Sequence, residues 1–185
     1  FISSIFYEEI IKWEFKMKID FDIEEVKSFI ENVSLQSCIY IGADSEVYKS
    51  NNKWLVDYTT AIVIHYDGCR GCKVFGKIET ELNYDKKKNK PSYRLMNEVV
   101  KAGNMYLELS DSIGNRHFEV HLDINPNIIH GSSFILNQAI GYIKGVCNVV
   151  PKVKPSSFAA TYAADRFREI IWYTKTLDMF LQTKN

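Results

Sequence analysis

The sequence lacks any charge bias: 23 Lys and Arg stand against 23 Asp and Glu in 185 residues, a formal net charge of zero. That argues against a cationic coat held on nucleic acid by phosphate neutralisation, and leaves room for a local basic groove. No apolar run approaches the ~20 residues of a membrane-spanning helix, and Phe1 to Phe6 carry no basic stretch of the kind that opens a signal peptide. A cytoplasmic protein with no membrane partner is therefore the expectation. The chain opens on Phe1 rather than Met, which leaves its natural start open. Cysteine is scarce too: Cys38, Cys69, Cys72 and Cys147 are too few and too scattered for a secreted disulfide framework. Cys69-Arg70-Gly71-Cys72 has the spacing of a zinc knuckle or a redox pair, but a structural zinc needs four ligands and no second pair exists. A tight hairpin turn that carries two thiols and no zinc is expected there. Repeats and long linkers are missing as well, so one domain is expected over residues 1–185, with a core at about 23–168 and terminal extensions at 1–22 and 169–185.

What the chain has is aromatic and aliphatic bulk: 46% hydrophobic residues, with 11 Phe, 11 Tyr and 3 Trp. A chain this long buries roughly 70% of its unfolded surface, so it folds without metal or disulfide staples. Asp22-Ile23-Glu24-Glu25 reads as a capped start of a helix reaching about Val33. The run Cys38 to Ala43 has no polar alternation, as in a central strand covered on both faces. Tyr58 to Tyr66 and Lys73 to Glu79 follow as strands, joined at Asp67-Gly68 and the Cys69 to Cys72 turn, so the first three strands form an antiparallel meander. Asp85 to Lys90 is a lysine-rich loop, read as a solvated surface rather than a nucleic-acid contact. Pro91 opens a helix to about Ser110, Phe118 to Ile124 is an alternating strand, Ser132 or Ser133 opens a helix to about Cys147, Val149 to Lys154 is a short strand, and Ser156 or Ser157 caps a last helix. The N-terminal stretch to Phe21 is aromatic and irregular and has no assigned element.

Four carboxylates stand out. Asp44 ends the apolar strand directly after Gly42 and Ala43, where an unpaired buried charge is costly; a turn or capping Asp is the plainer reading. Glu98 falls inside the apolar stripe Leu95, Val99, Ala102, Tyr106 and Leu109, while Arg94 at i−4 could hold it at the rim. Asp123 ends the fourth strand before Asn125-Pro126-Asn127. Asp165 sits between small residues in Ala163-Ala164-Asp165-Arg166, and a surface pair with Arg166 is its plain reading.

Together these four resemble the ribonuclease H constellation: an Asp on the central strand, a Glu on the first crossover helix, an Asp ending the next strand and an Asp on the last helix. Four blocks in order sharpen the likeness: Ile41-Gly42-Ala43-Asp44-Ser45-Glu46, Tyr58 to His65, His121-Leu122-Asp123-Ile124-Asn125-Pro126-Asn127, and Lys152 to Ser156 followed by Ala163-Ala164-Asp165-Arg166. They resemble the YkuK-type ribonuclease-H-like family, a bacterial family of unknown function, over roughly Ile23 to Arg168. That resemblance implies an α/β ribonuclease-H-like fold, with a five-stranded mixed sheet (three antiparallel strands, then two parallel) flanked by helices. It implies a metal-dependent nuclease acting on RNA, an RNA–DNA hybrid or branched DNA, with Mg²⁺ or Mn²⁺ held by Asp44, Glu98, Asp123 and Asp165. Hard cations of this kind prefer oxygen ligands, and two of them about 3.5–4 Å apart can serve phosphodiester cleavage. Glu98 would also lie near a ribose 2′-OH. Glu46 and Ala43 stand where the family usually has Gln and Thr, so this chain offers one more carboxylate on the Asp44 face. The competing class is a non-catalytic nucleic-acid- or protein-binding module on the same scaffold. An actin-like ATPase half-domain would need a Gly-rich phosphate loop, which Asp44 to Tyr48 is not.

Overall fold

The structure is a computed structural model that describes residues 17–19, 21–85, 91–127 and 129–170. Helix α1 (Ile23–Asn32) starts where Asp22 accepts a hydrogen bond from the Glu24 amide at 3.1 Å. Strands β2 (Cys38–Ser50) and β3 (Lys53–His65) form one long hairpin. Its turn is Asn51-Asn52, both at positive φ (47° and 62°), the conformation that a two-residue hairpin loop requires and that Asn tolerates. Both strands run further than the apolar runs at 38–43 and 58–66, because pairing continues through the polar residues that flank them. Strand β4 (Cys72–Leu82) returns antiparallel to β3, with Cys69 in the connection and Cys72 opening the strand, both exposed. Helix α2 (Ser92–Ile113) is capped from outside: the Asp85 carboxylate accepts from the amides of Tyr93 and Arg94, each at 3.0 Å. The rest of the lysine-rich loop, 86–90, lies outside the described residues, as do 1–16 and 171–185.

Strand β5 (Phe118–Leu122) pairs in parallel with β2, from Ile39–Phe118 to Ala43–Leu122. Helix α3 (Leu136–Cys147) follows, and α4 (residues 158–170) opens with a π-helical turn at Ala159–Ala163. Four of the five expected strands thus form. The fifth, Val149 to Lys154, is reduced to one bridge, with Lys152 beside His121. Pro151 has no N–H to donate and Pro155 follows the segment, so pairing is limited to Lys152, which exchanges bonds with Val120 and Leu122 at 2.8 and 2.9 Å, and to the Lys154 amide, which donates to the Ile124 carbonyl at 3.1 Å. The opposite edge is extended instead by β1 (Met17–Ile19), which pairs in parallel with β4 inside the stretch assigned to an N-terminal extension. The sheet order is β1-β4-β3-β2-β5. Among the described residues no helix is long and apolar enough to cross a membrane.

Period-two alternation divides the sheet into two faces. Ile39, Ile41, Ile62, Ile64, Phe75, Val120 and Leu122 pack under α1, α2 and α3 in one core. The other face carries a row of small residues: Gly42 pairs with Ala61, and Ala61 with Gly76. Helix α4 lies in that trough. A Cβ on Gly42 would sit 2.4 Å from the Ala160 amide nitrogen, and one on Gly76 about as close to the Phe167 ring, at 2.5 Å. His121, on the face of β5 opposite Val120 and Leu122, is fully buried there. Its Nδ1 accepts from the Ala159 amide at 3.0 Å, which leaves the ring proton on Nε2, 3.0 Å from Glu119. Burial pushes the imidazole below its ordinary range, so it stays neutral and holds the start of α4.

Helix α3 has two interior glycines, Gly141 and Gly145, where a methyl group would meet nothing within 4 Å. Gly141→Ala and Gly145→Ala should each stabilise the protein by about 0.5–1 kcal/mol, since only backbone freedom is lost. Urea unfolding midpoints check this; a lower midpoint for either variant would contradict it.

Candidate functional site

Asp44 and Asp123 are the next residues after Ala43–Leu122, the last pair of the β2–β5 ladder. They therefore leave the sheet side by side, on strands about 5 Å apart. Both point to the α4 face, as Gly42 and His121 do. Beyond Leu122 the outer edge of β2 has no neighbour in the ladder, and there a cleft of about 560 Å³ opens, lined by Asp44, Glu98, Asp123, Arg94, His130 and Lys154 among others. Crevices at the carboxyl ends of parallel strands are the usual ligand sites of such sheets.

Each carboxylate is engaged by groups of the chain itself. Asp123 accepts from Thr161 Oγ1 at 2.8 Å and pairs with Lys154 Nζ at 2.8 Å. Asp44 pairs with Arg168 Nη1 at 3.1 Å, and the same guanidinium reaches Glu46 at 3.0 Å and Asp165. Glu98 comes in from the other face. It is 3% exposed, accepts from Ser45 Oγ at 2.5 Å, and pairs with Arg94 Nη1 at 3.1 Å. Glu98 therefore lies in the buried stripe of α2, with Arg94 as its partner. Asp165 is half exposed and lines a different, largely apolar cavity of about 530 Å³ between α4 and the sheet.

The electrostatics follow from burial and crowding. Burial first, then the repulsion of Asp123 and Asp165, push the Asp44 carboxyl up to about 6, although Arg168 pulls the other way. Glu98 is raised well above the ordinary carboxylate range by burial and by Asp44, against Arg94 and the Ser45 hydroxyl. The structure thus gathers Asp44, Glu98 and Asp123 at one cleft, with Asp165 reached only through Arg168. Among the described residues it brings no three His, Cys, Asp or Glu side chains close enough together to share one ion. The reason is that Asp44 follows the α4 face while Glu98 meets β2 through Ser45 on the opposite face. Arg168 and Lys154 have no role in the sequence reading. For Arg168 the signal was present, since it stands one helical turn after Asp165; Lys154 gave none.

The Ribonuclease H-like family model matches residues 12–169, nearly the whole of the described chain. Neither a curated protein nor a solved structure matches it. With parallel β2 and β5 bringing Asp44 beside Asp123, and a family match over most of its length, the chain belongs to the ribonuclease H-like family.

Proposed function

We propose that the protein is a divalent-metal-dependent nuclease that hydrolyses phosphodiester bonds in RNA, RNA–DNA hybrid or branched DNA. The observation that carries this reading is the adjacent pair Asp44 and Asp123, whose mutual repulsion persists although Arg168 and Lys154 are already paired with them. The donor set supports it, because oxygen-only carboxylates suit Mg²⁺ or Mn²⁺. Asp44 and Asp123 would hold the ion from adjacent strands, with Glu98 facing the same cleft and Asp165 reached only through Arg168. When bound, such an ion supplies an activated water and charge stabilisation for the leaving oxygen. The chain's own cations supply the rest. Arg94 and Lys154 line the cleft, where a phosphodiester anion would meet them, and a guanidinium can hold two phosphate oxygens at once. His121 keeps α4, and with it Thr161, against Asp123. Recognition of backbone and duplex shape rather than base edges is the mode such a cleft supports.

The test is cleavage of end-labelled single-stranded RNA, RNA–DNA hybrid and four-way junction DNA with Mg²⁺ or Mn²⁺, and with chelator. Cleavage of at least one substrate that stops on chelation is the expected result. No cleavage of any of them, with binding intact, would replace this reading by the non-catalytic binding module.

A further inference from the structure

The tip of the β2–β3 hairpin, the end of β4 and the first turn of α2 together expose three aromatic rings. Trp54 is 55% exposed, Tyr84 60% and Tyr93 47%, in a chain that buries Tyr58 and Phe75 completely. Backbone and capping bonds hold the three close in the fold. The Asn83 amide donates to the Trp54 carbonyl at 2.9 Å, and the Asp85 carboxylate accepts from the Tyr93 amide at 3.0 Å, so Tyr84 stands between two fixed points. Tyr84 and Tyr93 meet edge to face, with centroids 5.4 Å apart and planes at 76°. A pair of this geometry leaves most of its ring faces bare. Exposed apolar groups gathered in one place mark a contact surface, where single ones would need no explanation.

The free charge around the rings is positive. Lys49 is the cross-strand partner of Trp54, and Lys53 precedes it in the chain. Both are exposed, and among the described residues neither meets a carboxylate. Acids of the adjoining strands and loop are already taken. Glu81 pairs with Lys101 at 2.7 Å, Asp57 accepts from the Tyr48 and Thr80 hydroxyls, and Asp85 caps α2. The first turn of α2 joins this surface to the cleft. Pro91 and Arg94 line the cleft, and Tyr93, one residue before Arg94, is turned about 100° from it around the helix. A chain leaving the cleft over the start of α2 therefore meets Tyr93 and Tyr84, then Trp54 and its two lysines.

We propose that Trp54, Tyr84 and Tyr93 are a stacking platform for the bases of single-stranded nucleic acid, whose phosphates lie along Lys49 and Lys53. This rests on the nucleic-acid reading of the cleft and deepens it: the substrate carries an unpaired segment beside the cleft. Aromatic rings stack any unpaired base, because every base has a π-face, whereas a duplex keeps those faces inside. The lysines neutralise phosphate whatever the sequence, so the surface selects single strands without reading base edges.

The experiment is fluorescence anisotropy of an end-labelled mixed-sequence single strand of about 12 nucleotides, within the usual site size, in chelator so that nothing is cleaved. Each of Trp54→Ala, Tyr84→Ala and Tyr93→Ala should bind it about 5–150-fold more weakly than wild type, the usual loss per stacked base. Trp54→Phe and Tyr93→Phe keep a ring and should stay within about threefold of wild type. Lys49→Gln with Lys53→Gln should lower the slope of log affinity against log salt by about 1.4, at about 0.7 for each phosphate contact. The strand annealed to its complement should bind wild type and the alanine variants alike. All the substituted positions are exposed, and urea unfolding checks the fold of each variant before binding is read. Alanine variants that bind the single strand as wild type does overturn the proposal and leave the nuclease reading intact. Equal losses for strand and duplex overturn it too, since the rings then meet no unpaired base. A wild-type dimer that Trp54→Ala turns into a monomer overturns it by making the surface a contact between copies. Selective loss of the single strand, with no metal-dependent cleavage by wild type, upholds the platform and overturns the nuclease reading. No binding of the strand by wild type overturns the platform, and cleavage of hybrid or junction substrates then decides the nuclease reading alone.

Discussion

Asp44→Asn should abolish metal-dependent cleavage and at the same time leave the metal-free protein more stable than wild type. The two effects share one cause. Asp44 is 14% exposed, and burial together with Asp123 and Asp165 raises its carboxyl to about 6 from the ordinary 3.8. Keeping it charged at neutral pH costs the fold at most about 3 kcal/mol, at about 1.4 kcal/mol for each pH unit of that difference. Asn keeps the shape and removes the charge, while Arg168 keeps Glu46 and Asp165 as partners. After subtracting the lost Arg168 bond, a rise in Tm of about 2–8 °C is expected for a chain of this size. Cleavage should fall by more than about a hundredfold, the upper range for disturbing groups that merely support a metal ligand.

The sign of the pH dependence gives an independent check. A carboxyl whose folded pKa lies above its unfolded one takes up a proton on folding between the two values. The stability advantage of Asp44→Asn over wild type in the absence of metal should therefore be largest near pH 7.5 and shrink as pH falls through 6 toward 4. Thermal unfolding across that range, in chelator, measures it. A variant that melts below wild type at pH 7.5, with an unchanged pH profile, would contradict the account of Asp44 as a charge held at a cost.

How much of this was legible in the sequence depended on the range of the interactions involved. The alternation and end signals of α1, α2, β5 and α3 are local, and each element lies within a few residues of its expected place. The Asn51-Asn52 turn was equally local but is overlooked when strands are sought only as apolar runs, because the hairpin ends are polar and exposed. The fate of Val149 to Lys154 was decided by two prolines that a hydrophobic count ignores. At the site, Glu98 was found because a charge in an apolar stripe is anomalous on its own, whereas Asp123 and Asp165 are ordinary taken singly. Which cation meets which carboxylate was not legible: Arg168 and Asp44 are 124 residues apart in sequence and meet only because α4 crosses β2. Nor could spacing reveal that Asp44 and Glu98 approach from opposite faces of the sheet.

That crossing rests on Gly42, and Gly42→Ala should be among the most damaging single substitutions in the chain. A methyl group there would meet backbone on all sides that matter: the Ala160 nitrogen at 2.4 Å, the Ala159 carbonyl carbon at 2.7 Å and the Ala160 Cα at 2.8 Å. A side chain could turn away, but the backbone of α4 can only move as a unit, and His121 ties its first turn in place through the Ala159 amide. Overpacking a rigid contact typically costs about 1–3 kcal/mol, and this one belongs at the upper end, a fall in Tm of about 6–12 °C. The functional effect follows from the same displacement. Moving α4 off β2 carries Thr161 away from Asp123 and Arg168 away from Asp44, so protein that still folds should lose cleavage more than stability alone explains. Gly141→Ala, with open space around it, controls for the effect of a methyl group as such. Urea unfolding of both variants and cleavage measured well below the midpoint decide the matter. Wild-type stability and activity in Gly42→Ala would mean that α4 does not approach β2 this closely, and that the carboxylates of the site are positioned by something else.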